Sequence, residues 1–446
     1  MTSTNAQVTE SQDWEMTIRM ASSITIPKTL PAKKFYFLEY FYVLLKSIER
    51  FSDEERVFDS FKILKQEHGL GESKYKKLTS DGDNLSQTQL NRYRYTFEQV
   101  INEAKEYGLV QKNNGNLVLT EEGKDLLLLH QNRGLISFNR SILGLMESKY
   151  GAFRYLITFL YNANKHKSGL FVLPNYSPRK LDFQRNKIKT TSDVFEYARV
   201  LASKLEQDIQ NFIGESRDLE DENKKILDRL VDSDLLPASQ NSEFDPKKYN
   251  AITLRFRDFW RTYFLREIYK SEYSLSAFDV WTYRGKQIGI IHATEFYPNF
   301  KGGIVYPTSV ILDSVNSRDF QKLYTYPDGF GLYMHKPVGE ENREKFVDYL
   351  VNAYFDLCRS NRSYFINLLA LRELVCYNMR ISEYLFGVFL ETIYKLNLVG
   401  NLQIRISLEV DRLPEETSAM YLKREPVMVD GKYRNIIAID ITKGGK

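Results

Sequence analysis

One stretch of the chain constrains its fold more than any other. Leu109-Val110-Gln111-Lys112 and Leu117-Val118-Leu119 are short strand-forming runs separated by Asn113-Asn114-Gly115-Asn116. An Asn-Gly pair between two such runs predicts a hairpin with a type I′ turn, because both central residues need positive φ and Asn and Gly accept it at least cost. Thr120-Glu121-Glu122-Gly123-Lys124 then opens an apolar helix. Upstream, Phe35, Leu38, Phe41, Leu45 and Ile48 recur at helical steps over 33–50, and Val57, Phe58, Phe61 and Leu64 do so over 54–67. The polar text of 69–85 reads as a loop. Ser86-Gln87-Thr88-Gln89 is a start signal for a long helix reaching Tyr107, where Gly108 ends it.

Helix, helix, long helix, hairpin, helix over residues 33–130 resembles the winged-helix superfamily. A second stretch resembles it again: a helix at Ser363–Cys376, a turn at Asn378-Met379-Arg380 and a helix at Ser382–Leu396. Two alternating runs follow, Leu402–Val410 and Ile436–Ile441, reading as a paired hairpin with a long tip over 411–434. The expected fold class is mainly α with smaller β elements (α+β). Two winged-helix-like units flank a helical and a β-containing middle. The expected segments are a flexible arm (1–30), an N-terminal winged-helix domain (31–133) and a helical domain (134–236) with a basic loop at 162–190. A polar linker (237–250), an α+β middle domain (251–340) and a C-terminal winged-helix-like domain (341–446) complete the chain. Within the middle domain, Phe278–Tyr283, Ile288–Ile291 and Ile304–Tyr306 read as strands punctuated by Gly and Pro.

The resemblance implies that the helix before the hairpin enters a DNA major groove or docks a protein. On the first such helix Leu90, Tyr93, Phe97, Ile101 and Ala104 mark the core face. That leaves Gln89, Arg92, Thr96 and Gln99 outward, Arg94 and Tyr95 on the flanks, and Lys112 and Asn114 at the wing. These are donors and cations suited to base edges and phosphates, although Glu98, Glu103 and Glu106 interrupt a continuous basic footprint. On the second helix Leu385, Phe386, Val388, Phe389, Leu390, Ile393 and Leu396 leave little polar face, and Glu383 and Glu391 are acidic. Such a helix is buried or docked against protein. Lys423 and Arg424 on the long tip are further candidates for backbone phosphates.

A third candidate is the basic loop. Lys165, His166, Lys167, Arg179, Lys180, Arg185, Lys187 and Lys189 face a single carboxylate, Asp182, with Tyr176 and Phe183 interleaved. That pattern suits unpaired bases, whose phosphates bind cations and whose rings stack on aromatics. It equally suits pairing with the acidic stretch 193–234.

Enzyme chemistry finds little footing. The Gly-Lys pairs at 123–124, 285–286 and 431–432 lack the upstream glycine and the following hydroxyl of a phosphate loop. The five histidines are scattered without ligand spacing, and the two cysteines, Cys358 and Cys376, form no C-x-x-C. A metal-dependent nuclease centred on Asp279 and Glu295 lacks its lysine, because Phe296 and Tyr297 follow the glutamate. A formal charge of +4, from 62 basic and 58 acidic residues, gives no global field diagnostic of a nucleic-acid binder. Residues 1–24 carry no apolar signal core, no run is long enough to span a bilayer, and the cytoplasm is the expected compartment.

These features lead to an expected non-catalytic DNA-binding and assembly subunit of a prokaryotic DNA-handling complex, antiviral defence systems among them, without a cofactor. Its partners would be duplex DNA at the first helix, single strands at the basic loop, and proteins or a second copy at the C-terminal unit. The alternatives are a scaffold that docks partners without touching DNA, kleisin-like in layout, and the divergent nuclease.

Overall fold

The computed structural model describes residues 30–68, 70, 86–163, 171–176, 188–294, 303–306, 310–313, 320–335, 340–379, 381–402, 404–410 and 427–441. The fold is mainly helical with small sheets. Three helices come first, α1 (Glu39–Arg50), α2 (Glu54–Glu67) and α3 (Gln87–Glu106), followed by the hairpin β1 (Val110–Asn113) and β2 (Asn116–Leu119). Next come α4 (Glu121–Tyr150), α5 (Ala152–Ala163), β3 (Val172–Pro174), α6 (Thr191–Phe212) and α7 (Glu220–Asp232). The middle of the chain forms α8 (Tyr249–Tyr263), a π turn (Phe264–Ile268), α9 (Leu275–Ile288), β4 (Gly303–Val305), β5 (Val310–Asp313), β6 (Phe320–Thr325) and β7 (Gly331–His335). It ends with α10 (Glu340–Asn361), β8 (Ile366–Asn367), α11 (Leu368–Met379), α12 (Glu383–Leu398), β9 (Ile404–Glu409), β10 (Val427–Val429), β11 (Lys432–Arg434) and β12 (Ile436–Ile441).

Contacts divide the chain into two compact units. The first contains residues 1–158, 276–292 and 308–446, and the second 159–275 and 293–307. This division runs along different lines from the segments read in the sequence: the boundary expected at 133/134 falls inside α4, which continues unbroken to Tyr150.

In the first unit the N-terminal helices close on an aromatic core, with Phe97 lying 5.2 Å from Phe58 and 5.4 Å from Phe61 between ring centroids. The hairpin turns at Asn114 (φ 49°) and Gly115 (φ 85°), the positive values that the Asn-Gly text requires. Ser52, in the junction between α1 and α2, accepts a hydrogen bond from Leu117 N at 2.8 Å, so this junction lies alongside β2. The C-terminal stretch repeats that path. β8, between α10 and α11, pairs with β12, which pairs with β9, giving the sheet order β8-β12-β9. A small hairpin, β10-β11, turning at Asp430 and Gly431, lies between β9 and β12, inside the stretch read as a long tip. Helix α12 buries Leu385, Phe386, Phe389, Leu390 and Ile393, with Phe386 and Phe389 against Phe346 of α10, so its apolar character is largely consumed inside its own unit. At the outer side of β9 the Asn397 side-chain amide meets both backbone groups of Ile406, accepting from its N at 2.9 Å and donating to its O at 3.1 Å.

Between these two stretches lies α9, and here the expected strands are corrected. Phe278–Tyr283 is helical, and the helix continues to Ile288. Every residue from Ala277 to Thr282 is buried, so the helix has no polar stripe and its text carries no 3.6-residue period to distinguish it from a buried strand. Ile304 and Val305 do form a strand, β4. The segment 30–38 ahead of α1 is held by α9 side chains. Trp281 Nε1 donates to Pro31 O at 2.8 Å, Arg284 to Phe35 O at 3.1 Å, and Gln287 donates to Tyr36 O at 2.9 Å while accepting from Leu38 N at 2.8 Å.

At the α4–α5 elbow, Gly151 (φ 59°) ends one helix, and the Glu147 carboxylate caps the next. It accepts from Phe153 N at 2.8 Å, Arg154 N at 3.3 Å and the Tyr326 hydroxyl at 2.6 Å. The Arg154 guanidinium itself turns to Asp328 at 2.6 Å.

In the second unit β3 pairs antiparallel with β4, and Trp260 and Phe256 of α8 are fully buried. The stretch 237–250 is not a linker. Ser242 O and Gln240 O accept from Thr191 N and Ser192 N at the head of α6, Phe244 N donates to Lys189 O, and Phe244 is buried. Its polar composition serves backbone pairing at a helix start rather than solvation.

Candidate functional site

The face of α3 and the β1-β2 hairpin assigned to DNA is assembled as follows. Ser86 caps α3 and Gln89 closes a capping box with it, its Oε1 accepting from Ser86 N at 3.0 Å, so Gln89 is committed to the helix start. Thr96 donates to Arg92 O at 3.0 Å. Gln89, Arg94, Thr96 and Gln99 are half-buried, whereas Arg92, Tyr95 and the hairpin from Gln111 to Asn116 are exposed. Arg94 lies with its guanidinium carbon 3.9 Å from the Phe58 ring centroid and bonds Glu55, and Lys112 bonds Glu54 at 2.9 Å. Both carboxylates belong to the first turn of α2, where acidic residues complement the helix dipole and Asp53 caps through Arg56 N. Arg94 and Lys112 are thus neutralised by carboxylates that would repel an approaching phosphate.

Of the basic loop, Lys189 lies within the described residues; it is exposed, at the head of α6. Lys165, Lys167, Arg179, Lys180, Arg185 and Lys187, together with Glu295, Lys423 and Arg424, lie outside them. Asp279 is buried on α9, a helix, so it does not stand on a strand as the nuclease reading required.

Among the described residues, the densest ionic cluster lies where no sequence motif marks it. His292 Nε2 is 2.6 Å from Glu373 of α11, and its Nδ1 is 3.3 Å from Glu383 of α12. Lys286 of α9 lies 3.0 Å from Glu383, and Arg372 lies 3.3 Å from Glu373 and 3.8 Å from Glu383. Gly289 (φ 85°) permits this approach, since a Cβ there would meet Ser382 Oγ, the α12 cap, at 2.9 Å. Burial raises the Glu373 carboxyl, but His292 and Arg372 beside it prevail and hold it well below the usual carboxylate range. Burial likewise raises Glu383, and Arg372, Lys286 and His292 bring it below its ordinary value.

Donor atoms of His292, Glu373 and Glu383 lie within 4.8 Å of one another, a spacing that fits a divalent ion. The arrangement argues against one. The two carboxylates address opposite nitrogens of the same ring, and Lys286 and Arg372 already supply the positive charge a metal would bring. His292 and Glu373 are each 1% exposed, so the cluster is closed to reactants and serves as an ionic clasp between α9 and the C-terminal helices. A second ionic clasp sits further back on α9. Arg284, fully buried, bonds both Glu103 oxygens at 2.7 and 2.9 Å, with the Phe35 and Trp281 rings 4.7 and 5.1 Å from its guanidinium carbon.

No family model, no curated protein and no solved structure matches the chain. Its function is therefore read from its own geometry.

Proposed function

We propose that the chain is a non-catalytic assembly protein built on two winged-helix units, which dock partner proteins. The observation that carries this reading is the shared connectivity at the two ends. In each, helix, extended stub, helix, helix and two paired strands follow in order, with the stub beside the last strand, the C-terminal end carrying the β10-β11 hairpin between its two strands. Helix α9 clasps both, through Arg284 to the first and through Lys286 and the adjoining His292 to the second. Two such units tied to one strut suit presentation of surfaces in a constant relation.

Protein is favoured over nucleic acid as the partner because Arg94 and Lys112 are already paired with Glu55 and Glu54. In addition, of thirteen exposed large apolar side chains among the described residues, eight lie between Tyr364 and Ile441, where exposed apolar groups suit protein contact. Titration with duplex DNA at low and moderate salt tests this. Arg92→Ala combined with Arg94→Ala is expected to leave affinity and salt slope unchanged. A steep salt dependence that flattens in the double variant, with about tenfold weaker binding, would sink the reading and favour the DNA-handling subunit. That second reading draws on Arg92 and on the exposed amides Gln111, Asn113, Asn114 and Asn116, which are suited to base edges.

A further inference from the structure

Helix α4 carries a cation that the ion pairs of the first unit leave unmatched. Arg284, Arg154, Lys286 and Arg372 each meet a carboxylate, whereas Arg140, half-buried, meets none among the described residues. Its Nη2 donates to the Met334 sulfur of β7 at 3.3 Å, and a thioether is a weak acceptor. Its Nε is buried and has no acceptor among the described residues. Tyr384, in the first turn of α12, has its ring centroid 5.6 Å from the guanidinium carbon and is itself exposed, so the guanidinium lies beside open surface. Burial draws Arg140 below its ordinary pKa, and the group that opposes this is the Tyr384 phenol rather than a carboxylate.

A second orphaned donor stands on the same side. Gln321 of β6 is the register partner of Met334, so both side chains rise from one face of the sheet, about 5 Å apart at their roots. The Gln321 side-chain nitrogen is buried there, again without an acceptor among the described residues. A desolvated charge and a buried N–H left unmatched each cost a folded chain stability, and both are satisfied by an oxygen that bears negative charge.

We propose that Arg140, with the Gln321 amide beside it and the Tyr384 ring at its rim, binds a carboxylate. A guanidinium fork matches the two oxygens of that group. One cation among neutral donors balances one negative charge, which favours a carboxylate over a phosphate dianion. The same chemistry is offered by a small organic acid and by an aspartate or glutamate of a partner protein; the second source rests on the assembly reading above, and the first does not. Arginine beside an exposed aromatic ring is also a recurrent anchor of protein interfaces.

Urea unfolding midpoints of the full chain and of Arg140→Met, in sodium chloride, acetate and phosphate at equal ionic strength, test the site. In chloride the variant is expected to be at least as stable as the wild type, because it removes an unmatched charge and keeps an apolar stem. In acetate the wild type should gain on the variant, with a half-maximal effect at about tenfold lower concentration than in phosphate. A difference between the two proteins that is the same in all three salts marks a structural arginine and overturns the proposal, as does an equal gain in acetate and phosphate. Arg140→Lys, which keeps the charge without the fork, should lose most of the acetate gain and supplies the comparison if Arg140→Met does not fold. A glutamate-containing peptide with blocked ends that acts at lower concentration than acetate assigns the site to a partner side chain, and one that does not assigns it to a small acid. Absence of the acetate gain leaves the assembly reading standing, since the DNA titration that tests it does not involve Arg140.

Discussion

Arg284→Ala is expected to lower folding stability by about 3–5 kcal/mol, the cost of leaving one member of a buried ion pair without its partner. Glu103 is almost as inaccessible as Arg284, and burial raises its carboxyl, while Arg284 and Lys33 bring it below its ordinary value. Without the guanidinium, Glu103 keeps Lys33 at 3.8 Å and the Tyr107 hydroxyl at 2.6 Å. The Phe35 carbonyl also loses its donor, so the arm loosens together with α3. The urea unfolding midpoint measures the effect, and an unchanged midpoint would show that the pair is not structural. Arg284→Met with Glu103→Leu should recover most of the loss, since apolar side chains of similar volume avoid the desolvation that the ions incur.

Acidification is expected to stabilise the elbow at Glu147. Burial pushes this carboxyl up to about 7, against 4.5 for an ordinary glutamate, despite hydrogen bonds from Tyr326, Phe153 and Arg154 that pull it down. Arg154 faces it but is committed to Asp328, and Tyr326, Tyr324 and Tyr155 surround it with phenols that burial, aided by the Glu147 charge, raises above their usual range. Because the folded chain holds this proton more tightly than the unfolded chain, stability falls as pH rises between about 4.5 and 7 and is level outside that window. The difference corresponds to about 3 kcal/mol. Glu147→Gln, which cannot ionise, should remove this slope, being more stable than the wild type at pH 8 and losing that advantage at pH 4.5. Parallel pH profiles for the two proteins would contradict the assignment.

What the sequence disclosed depended on how far apart the cooperating residues lie. The Asn114-Gly115 turn, the Ser86 start and the helices flanking them are written in neighbours, and the structure has them. Helix α9 reads as strand in the sequence because burial on nearly every side erases the period that separates helix from strand. The clasp at His292 joins residues 81 positions apart, and no local spacing announces it. A signal did exist: Arg372-Glu373 inside the apolar text Leu368–Cys376 is a charged pair with no exposed face to occupy. The neutralisation of Arg94 and Lys112 was similarly hidden, since their partners lie 39 and 58 residues upstream, although three consecutive carboxylates at Asp53–Glu55 already marked an acidic helix start.

The amide of Asn397 has a consequence beyond local pairing. It meets both polar groups of Ile406, and Arg434 donates to Leu408 O at 3.1 Å, so side chains occupy three central backbone groups where a foreign strand would hydrogen-bond. Strand addition, the most permissive way for one chain to recruit another, would have to displace both side chains on that border of the sheet. On the proposed assembly reading, a protein meeting that border is recognised by shape and side-chain chemistry rather than by backbone, and single substitutions there should discriminate between such proteins.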